Sequence, residues 1–416
     1  MDLLTSEECL LIAHKTFPDK DKSNLILLNV QLQAGSKDLM GYMGEYYKLN
    51  LEIEDVVENE KHNLEYFIKC LPRNNQPQRE ECERKGVFRK ESAIYSQLLP
   101  QIQKYATKKL FPKCYYSRND ILVLEDLTIK YRHLKPSDNY TKEHYKVVLE
   151  HLADMHASSI AWEEKDKINI NERYRDVLVE LLLSTGNSWY MTGVKAIVFL
   201  ASRHPQLQSK EAQYFINNKL YNLLTKAEEL VKPSKTIRNV FCHRDTWDRN
   251  ILYQFPSESS TQPSACCIVD FQLAKYCSPT LDVLFLLYIV ASAKVREEIY
   301  DECLEHYYNS LKSHLIRLGF GEKLPITREN FLAECQRTRL AALIIWALTE
   351  PQTKMSAAVS NRLRSEEPEK FDFYLNTDRS ELLIRVMKLQ PGYEETIMLP
   401  IKELVDYLMA NEKLYH

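Results

Sequence analysis

The 416-residue sequence has no hydrophobic run long enough for a membrane span. Its longest uncharged apolar stretch, residues 283–293, falls well short of the roughly 20 residues a transmembrane helix needs. Residues 1–17 carry Glu7, Glu8 and Lys15 and lack the apolar core and small-residue cleavage site of a secretory signal. Lys and Arg are scattered without a polybasic block, and the formal net charge is −3, so no bulk electrostatic case exists for nucleic acid or an anionic membrane. None of the ten cysteines has the C-x-x-C spacing of a zinc or redox motif. Cys266 and Cys267 are adjacent in an apolar run that reads as a strand, so their side chains leave on opposite faces and make poor joint metal ligands. Reduced cysteines in a soluble, cytoplasmic protein are the expectation. Glycine is scarce, with nine in the chain, and no G-x-G-x-x-G occurs.

Strand signals fill the first third of the chain. Residues 25–32 and 64–71 are apolar β runs, and residues 46–53 alternate polar and apolar. A helical pattern over 80–105 follows, with an interruption expected at Pro100, and residues 121–124 form a short buried strand. Helical spacing then dominates, over residues 141–161, 174–183, 213–231, 283–318, 328–347 and 380–389. The remaining β signal is Tyr253 with the run 266–271. The expected class is α+β: an antiparallel sheet lobe with one main helix over residues 1–127, and a larger, mostly helical lobe over 128–416.

The most informative segment runs from Phe241 to Tyr253. It contains His243-Arg244-Asp245, with Asn250 five positions after the aspartate, and Asp270-Phe271 follows twenty residues later. Phosphoryl transfer needs a carboxylate beside the attacking hydroxyl and oxygen ligands that hold Mg²⁺ against the phosphates. Asp245 in this H-R-D-x-x-x-x-N pattern suits the first task, and Asn250 and Asp270 suit the second. Each residue alone reads better as a turn cap, a loop contact or a strand end; their joint order and spacing favours the chemistry. His243 is expected to pack and hydrogen-bond, since no second histidine lies at metal-ligand spacing. Asp282 is expected to cap a helix or brace the catalytic loop.

Upstream, Lys69 stands inside an apolar strand, where a charge is costly without a partner. Glu91 lies on a helical stripe with Phe88, Tyr95 and Leu98, so the two charges would satisfy each other while Lys69 reaches the α- and β-phosphates of ATP. Gly35, Gly41 and Gly44 fall between the first two strands. Gly41, Tyr42, Met43 and Gly44 are candidates for a phosphate flap, although a hairpin turn explains these glycines almost as well. Glu125, Asp126 and Leu127 mark a hinge whose backbone would meet the adenine edge; the acidic side chains suit capping as well.

These residues resemble the ecdysteroid kinase-like family, within the wider choline kinase and aminoglycoside phosphotransferase group. The resemblance rests on Tyr66-Phe-Ile-Lys69, Glu91, Leu122-Val-Leu-Glu-Asp-Leu127, Leu152-Ala-Asp-Met-His-Ala157, Cys242-His-Arg-Asp-Thr-Trp247, Asn250, Val269-Asp-Phe-Gln272 and Ser278-Pro-Thr-Leu-Asp282. It implies a bilobal protein-kinase-like fold, dependence on ATP and Mg²⁺, and phosphorylation of an alcohol, with an ecdysteroid, another hormone or a foreign compound as acceptor. The chain departs from the pattern at Arg244, where the family often has glycine. It departs again at Gln272, which replaces the glycine of D-F-G, so no large flip of Asp270 is expected. No A-P-E occurs, and eleven residues separate Asp270 from Asp282, which leaves little room for a peptide platform. A small-molecule acceptor is therefore expected, with Trp189, Tyr190, Trp346 and Tyr374 as aromatic candidates for contact. The alternatives are a choline- or aminoglycoside-type kinase with a cationic acceptor, and a pseudokinase that binds a ligand without turnover.

Overall fold

Period-two alternation early in the chain produces one antiparallel sheet. The computed structural model describes residues 3–35, 44–73, 75–134, 140–321 and 323–414. The chain divides into two compact units: Met1–Leu178 with Asp248–Gln272, and Val179–Trp247 with Leu273–His416.

In the first unit, strands β1 (Leu25–Ala34), β2 (Glu45–Asp55), β3 (Glu60–Cys70), β4 (Cys114–Arg118) and β5 (Ile121–Glu125) lie in the order β1-β2-β3-β5-β4. Every neighbouring pair is antiparallel. Register puts Leu49, Leu51, Tyr66, Ile68 and Val123 on one face. Helix α1 (Ser6–Thr16), started by a Thr5–Glu8 capping box, closes that face with Cys9, Ile12 and Ala13. Lys69 follows Ile68 and points to the other face, opposite Tyr46 of β2 and Leu122 of β5.

The helical run after β3 divides into α2 (Gln76–Lys85), α3 (Val87–Ala93), a wide π turn at Ile94–Leu98, and α4 (Leu99–Gln103). Its break falls at Gly86 rather than at the expected Pro100. Gly86 sits at φ 64°, which ends one helix and begins the next. Pro100 lies in the first turn of α4, where a missing N–H costs little. Helix α5 (Lys142–Asp166) is the long helix of this unit. Two small ladders come later in the chain: β6 (Val240–Cys242) with β9 (Lys275–Cys277) in the second unit, and β7 (Ile251–Gln254) with β8 (Ala265–Ile268) in the first.

The second unit is helical apart from β6 and β9. The apolar helix Thr280–Ile289 is buried along almost its whole length, as a helix without a polar face must be. The single helix expected over 283–318 is interrupted at Ser292, whose hydroxyl accepts the Val295 amide at 3.3 Å and starts the helix Ala293–Leu315. No helix forms over 174–183, against expectation. The Glu180 carboxylate takes the amides of Leu182 and Leu183 at 2.9 and 3.0 Å, so those donors do not enter a helical ladder. The expected helix over 380–389 is present as Ser380–Leu389. Among the described residues, no helix is long and apolar enough to cross a membrane. All ten cysteines are buried, and none is in a disulfide. Cys266 and Cys267 reach different carbonyls, those of Val147 and Leu110, as opposite faces of a strand require.

Candidate active site

The first unit draws Lys69, Glu91 and Asp270 into one cluster, the first two buried and Asp270 partly exposed. Lys69 Nζ lies 2.7 Å from Glu91 Oε2 and 2.9 Å from Asp270 Oδ1. Lys69 is 3% exposed and Glu91 fully buried, so each charge requires the others. Burial opposes the Lys69 charge, but Asp270 and Glu91 overcome it and hold the ammonium well above its ordinary range. Burial pushes the Glu91 carboxyl up to about 7, with Asp270 adding to the rise while Lys69 opposes it. The Phe271 amide also donates to the Glu91 carboxylate, tying the helix residue to the segment that carries Asp270.

Asp270 adopts φ 70°, a left-handed conformation uncommon outside glycine and more readily taken by aspartate than by bulkier residues. Its amide donates to the Tyr95 hydroxyl at 3.2 Å. Phe271 packs edge-on against Tyr95 and Phe111, at centroid distances of 5.6 and 5.4 Å. Tyr95 lies in the wide turn of the helical run, one turn beyond Glu91. In the sequence Tyr95 stands out only as part of the apolar stripe. The signal was its hydroxyl, which needs a partner when buried.

Asn250 ends a short 3₁₀ turn, Asp248–Asn250, and its carbonyl accepts the Val269 amide at 2.9 Å. The β7–β8 ladder therefore brings Asn250 and Asp270 to the same end of one hairpin. An amide oxygen and a carboxylate are hard oxygen donors of the kind Mg²⁺ takes, so this pair fits that ion.

Gly44 stands where a side chain would crowd this cluster. A Cβ there would lie 3.2 Å from the Cys70 carbonyl, 3.3 Å from the Phe88 ring and 3.5 Å from Lys69 Cγ. Its flap companions Gly41, Tyr42 and Met43 lie outside the described residues. At the end of β5, Glu125 pairs with Lys109 and accepts the Lys113 amide at 3.1 Å. Asp126 caps the turn Leu127–Ile129 through Thr128 and pairs with Lys48 at 3.0 Å. Leu127 packs with Leu252 and Cys267. The acidic side chains of this segment are thus engaged in capping and pairing.

In the second unit, Asp245 sits on a braced loop. Asp282 accepts the His243 and Arg244 amides, one on each carboxylate oxygen and each at 2.7 Å. The Asp245 amide donates to His243 Nδ1 at 3.1 Å, which assigns the ring proton to Nε2 and gives the buried histidine its hydrogen-bonding role. Arg244 has φ 70°, so it takes at a strained backbone the conformation that glycine would adopt without strain. The aromatic candidates are tied up internally. Trp346 donates to Glu350 at 3.1 Å, Tyr190 to the Leu224 carbonyl, and Trp189 to Gln352 at 3.0 Å, while Tyr374 is buried.

A strand lysine paired with a helix glutamate and an aspartate, in a chain that also carries a braced aspartate loop, belongs to a small-molecule kinase, a transferase. The model of the ecdysteroid kinase-like family matches residues 39–320. The chain belongs to the ecdysteroid kinase-like family. No relative among curated proteins matches the sequence. Among solved structures, the chain is similar to the ADP-bound aminoglycoside phosphotransferase APH(2'')-Ib, at 13% identity over 95% of this chain and 99% of that one, with TM-score 0.41. It is also similar to the aminoglycoside phosphotransferase APH(2'')-IIa in its gentamicin complex, at 13% identity over 95% and 100% of the two chains, with TM-score 0.40. A third similar structure is the macrolide 2'-phosphotransferase MphH from Brachybacterium faecium, at 13% identity over 89% and 98%, with TM-score 0.39.

Proposed function

We propose that this protein transfers the γ-phosphoryl group of ATP, with Mg²⁺, to a hydroxyl of a small apolar molecule, an ecdysteroid or a compound of similar chemistry, in the cytoplasm. The observation that carries the reading is the Lys69–Glu91–Asp270 cluster, a buried lysine and glutamate tied to a partly exposed aspartate beneath a sheet. In this reading residues 1–127 bind the nucleotide, and residues 128–416 carry the catalytic loop, the metal ligands and the acceptor pocket. Lys69, fixed by Glu91, neutralises the α- and β-phosphates. Asp270 and Asn250 hold Mg²⁺, which when bound offsets charge on the phosphate oxygens. Asp245 orients the acceptor hydroxyl and takes its proton. Residues 41–44 cover the phosphates, and the backbone of 125–127 meets the adenine edge. The family name supports an ecdysteroid acceptor.

The test is incubation of the purified protein with Mg-ATP and a panel of ecdysteroids, hydroxylated sterols, choline and an aminoglycoside, with products followed by mass. The reading predicts gain of one phosphoryl group on an ecdysteroid or sterol, its loss on chelation of Mg²⁺, and its abolition by Asp245→Asn with ATP binding retained. Phosphorylation of choline or the aminoglycoside alone would reassign the acceptor. Nucleotide binding with no product from any acceptor would make the protein a pseudokinase.

A further inference from the structure

Glu180 lies far from the catalytic motifs in sequence and outside every motif that identifies the family resemblance. In the second unit its carboxylate is nevertheless the hub of a buried charge cluster. Lys275 Nζ approaches Oε2 at 2.9 Å, and the Arg244 guanidinium lies 3.6 Å from the same oxygen. The other oxygen accepts the amides of Leu182 and Leu183. Burial opposes the charge of Glu180, but Arg244 and Lys275 outweigh it and hold the carboxyl down at about 2. It is therefore ionised throughout the neutral range.

Both cations are structurally committed. Lys275 opens β9 and stands opposite Cys242 of β6, the strand that leads into the catalytic loop. Arg244 precedes Asp245, is 1% exposed, and places its guanidinium 5.1 Å from the centre of the Phe285 ring. Its left-handed backbone is strained for a residue with a side chain. Such a conformation persists where the surroundings over-determine it. Asp282 fixes the loop by its backbone amides; Glu180 is the one carboxylate that meets the Arg244 side chain within ion-pair distance among the described residues.

We propose that Glu180 is a positioning residue for Asp245: by pairing with Arg244 and Lys275 it locks the catalytic loop in its working shape. In kinases whose loops are ordered by phosphorylation, an arginine acquires its anionic partner from the added phosphate. Here the partner is a carboxylate of the chain itself, so the loop is set without covalent activation. This inference rests on the reading of Asp245 as the group that takes the acceptor proton.

The test compares wild type, Glu180→Gln, Glu180→Asp and Asp245→Asn, each first treated with phosphatase. Amide hydrogen exchange is read at His243 and Arg244, and steady-state turnover of Mg-ATP is measured with the acceptor panel above. Glu180→Gln keeps an acceptor for the Leu182 and Leu183 amides but removes the charge. It is expected to speed exchange at the two loop amides at least tenfold while exchange in β1–β3 stays unchanged. It should lower kcat at least tenfold with KM for ATP unchanged, and Glu180→Asp should recover part of both. Phosphatase treatment should leave the wild-type rate unchanged. Wild-type exchange at His243 and Arg244 in Glu180→Gln overturns the lock, and so does wild-type kcat in that variant when Asp245→Asn is inactive. If Asp245→Asn itself retains turnover, the base assignment fails, and the exchange measurement still decides whether Glu180 holds the loop.

Discussion

Glu91 is the residue where burial and charge compete most openly. Its carboxyl is raised from an ordinary 4.5 to about 7, first by burial and then by Asp270, against the pull of Lys69. A carboxyl with a raised native pKa favours the folded state below its unfolded value and loses that contribution as pH climbs through the native one. The contribution of Glu91 to stability is therefore expected to be present below pH 4.5 and to decline up to about pH 7. Glu91→Gln removes this titration, so the difference in stability between the variant and wild type should change across that window and level off above it. Thermal melts at closely spaced pH values check this; a difference that stays constant from pH 4.5 to 7 would contradict it. Lys69 and Glu91 were legible as partners because neither tolerates burial alone. Asp282 was legible as a brace only in kind: its two amide contacts depend on the fold of the loop, which no local pattern encodes.

At the scale of elements, the strands β1, β2, β3 and β5 were readable because alternation and apolar runs reflect what a sheet buries. Strand β4 was not, since five residues between lysines and a turn carry too little pattern to stand out. The false helix over 174–183 had helical spacing, but the Glu180 carboxylate captured its amides and tertiary ion pairs fixed the segment elsewhere. The break between α2 and α3 rests on Gly86 at φ 64°, with nothing within 4 Å of an added Cβ. Gly86→Ala should therefore cost about 1 kcal/mol through backbone strain alone. Because α3 carries Glu91, the same change should weaken the Lys69 pairing. Chemical denaturation measures the first effect, and an unaltered midpoint would show that the turn is not under that constraint.

For the whole molecule, the class and family were readable from motifs whose residues are distant in sequence: Lys69 and Glu91 lie early, and Asp245, Asn250 and Asp270 near the middle. Each of the two compact units is assembled from two separate stretches of chain. The acceptor was not readable, since a pocket built from scattered helices leaves no linear signature.

If the protein uses ATP as proposed, Lys69, Glu91 and Asp270 together form the seat of a magnesium nucleotide. Calorimetric titration with ATP, in the presence and absence of Mg²⁺, of wild type, Lys69→Met and Asp270→Asn tests it without need of the acceptor. Wild type is expected to bind in a Mg²⁺-dependent manner, Lys69→Met at least tenfold more weakly, and Asp270→Asn without the Mg²⁺ dependence. Equal affinities in all three proteins, with or without Mg²⁺, would contradict this.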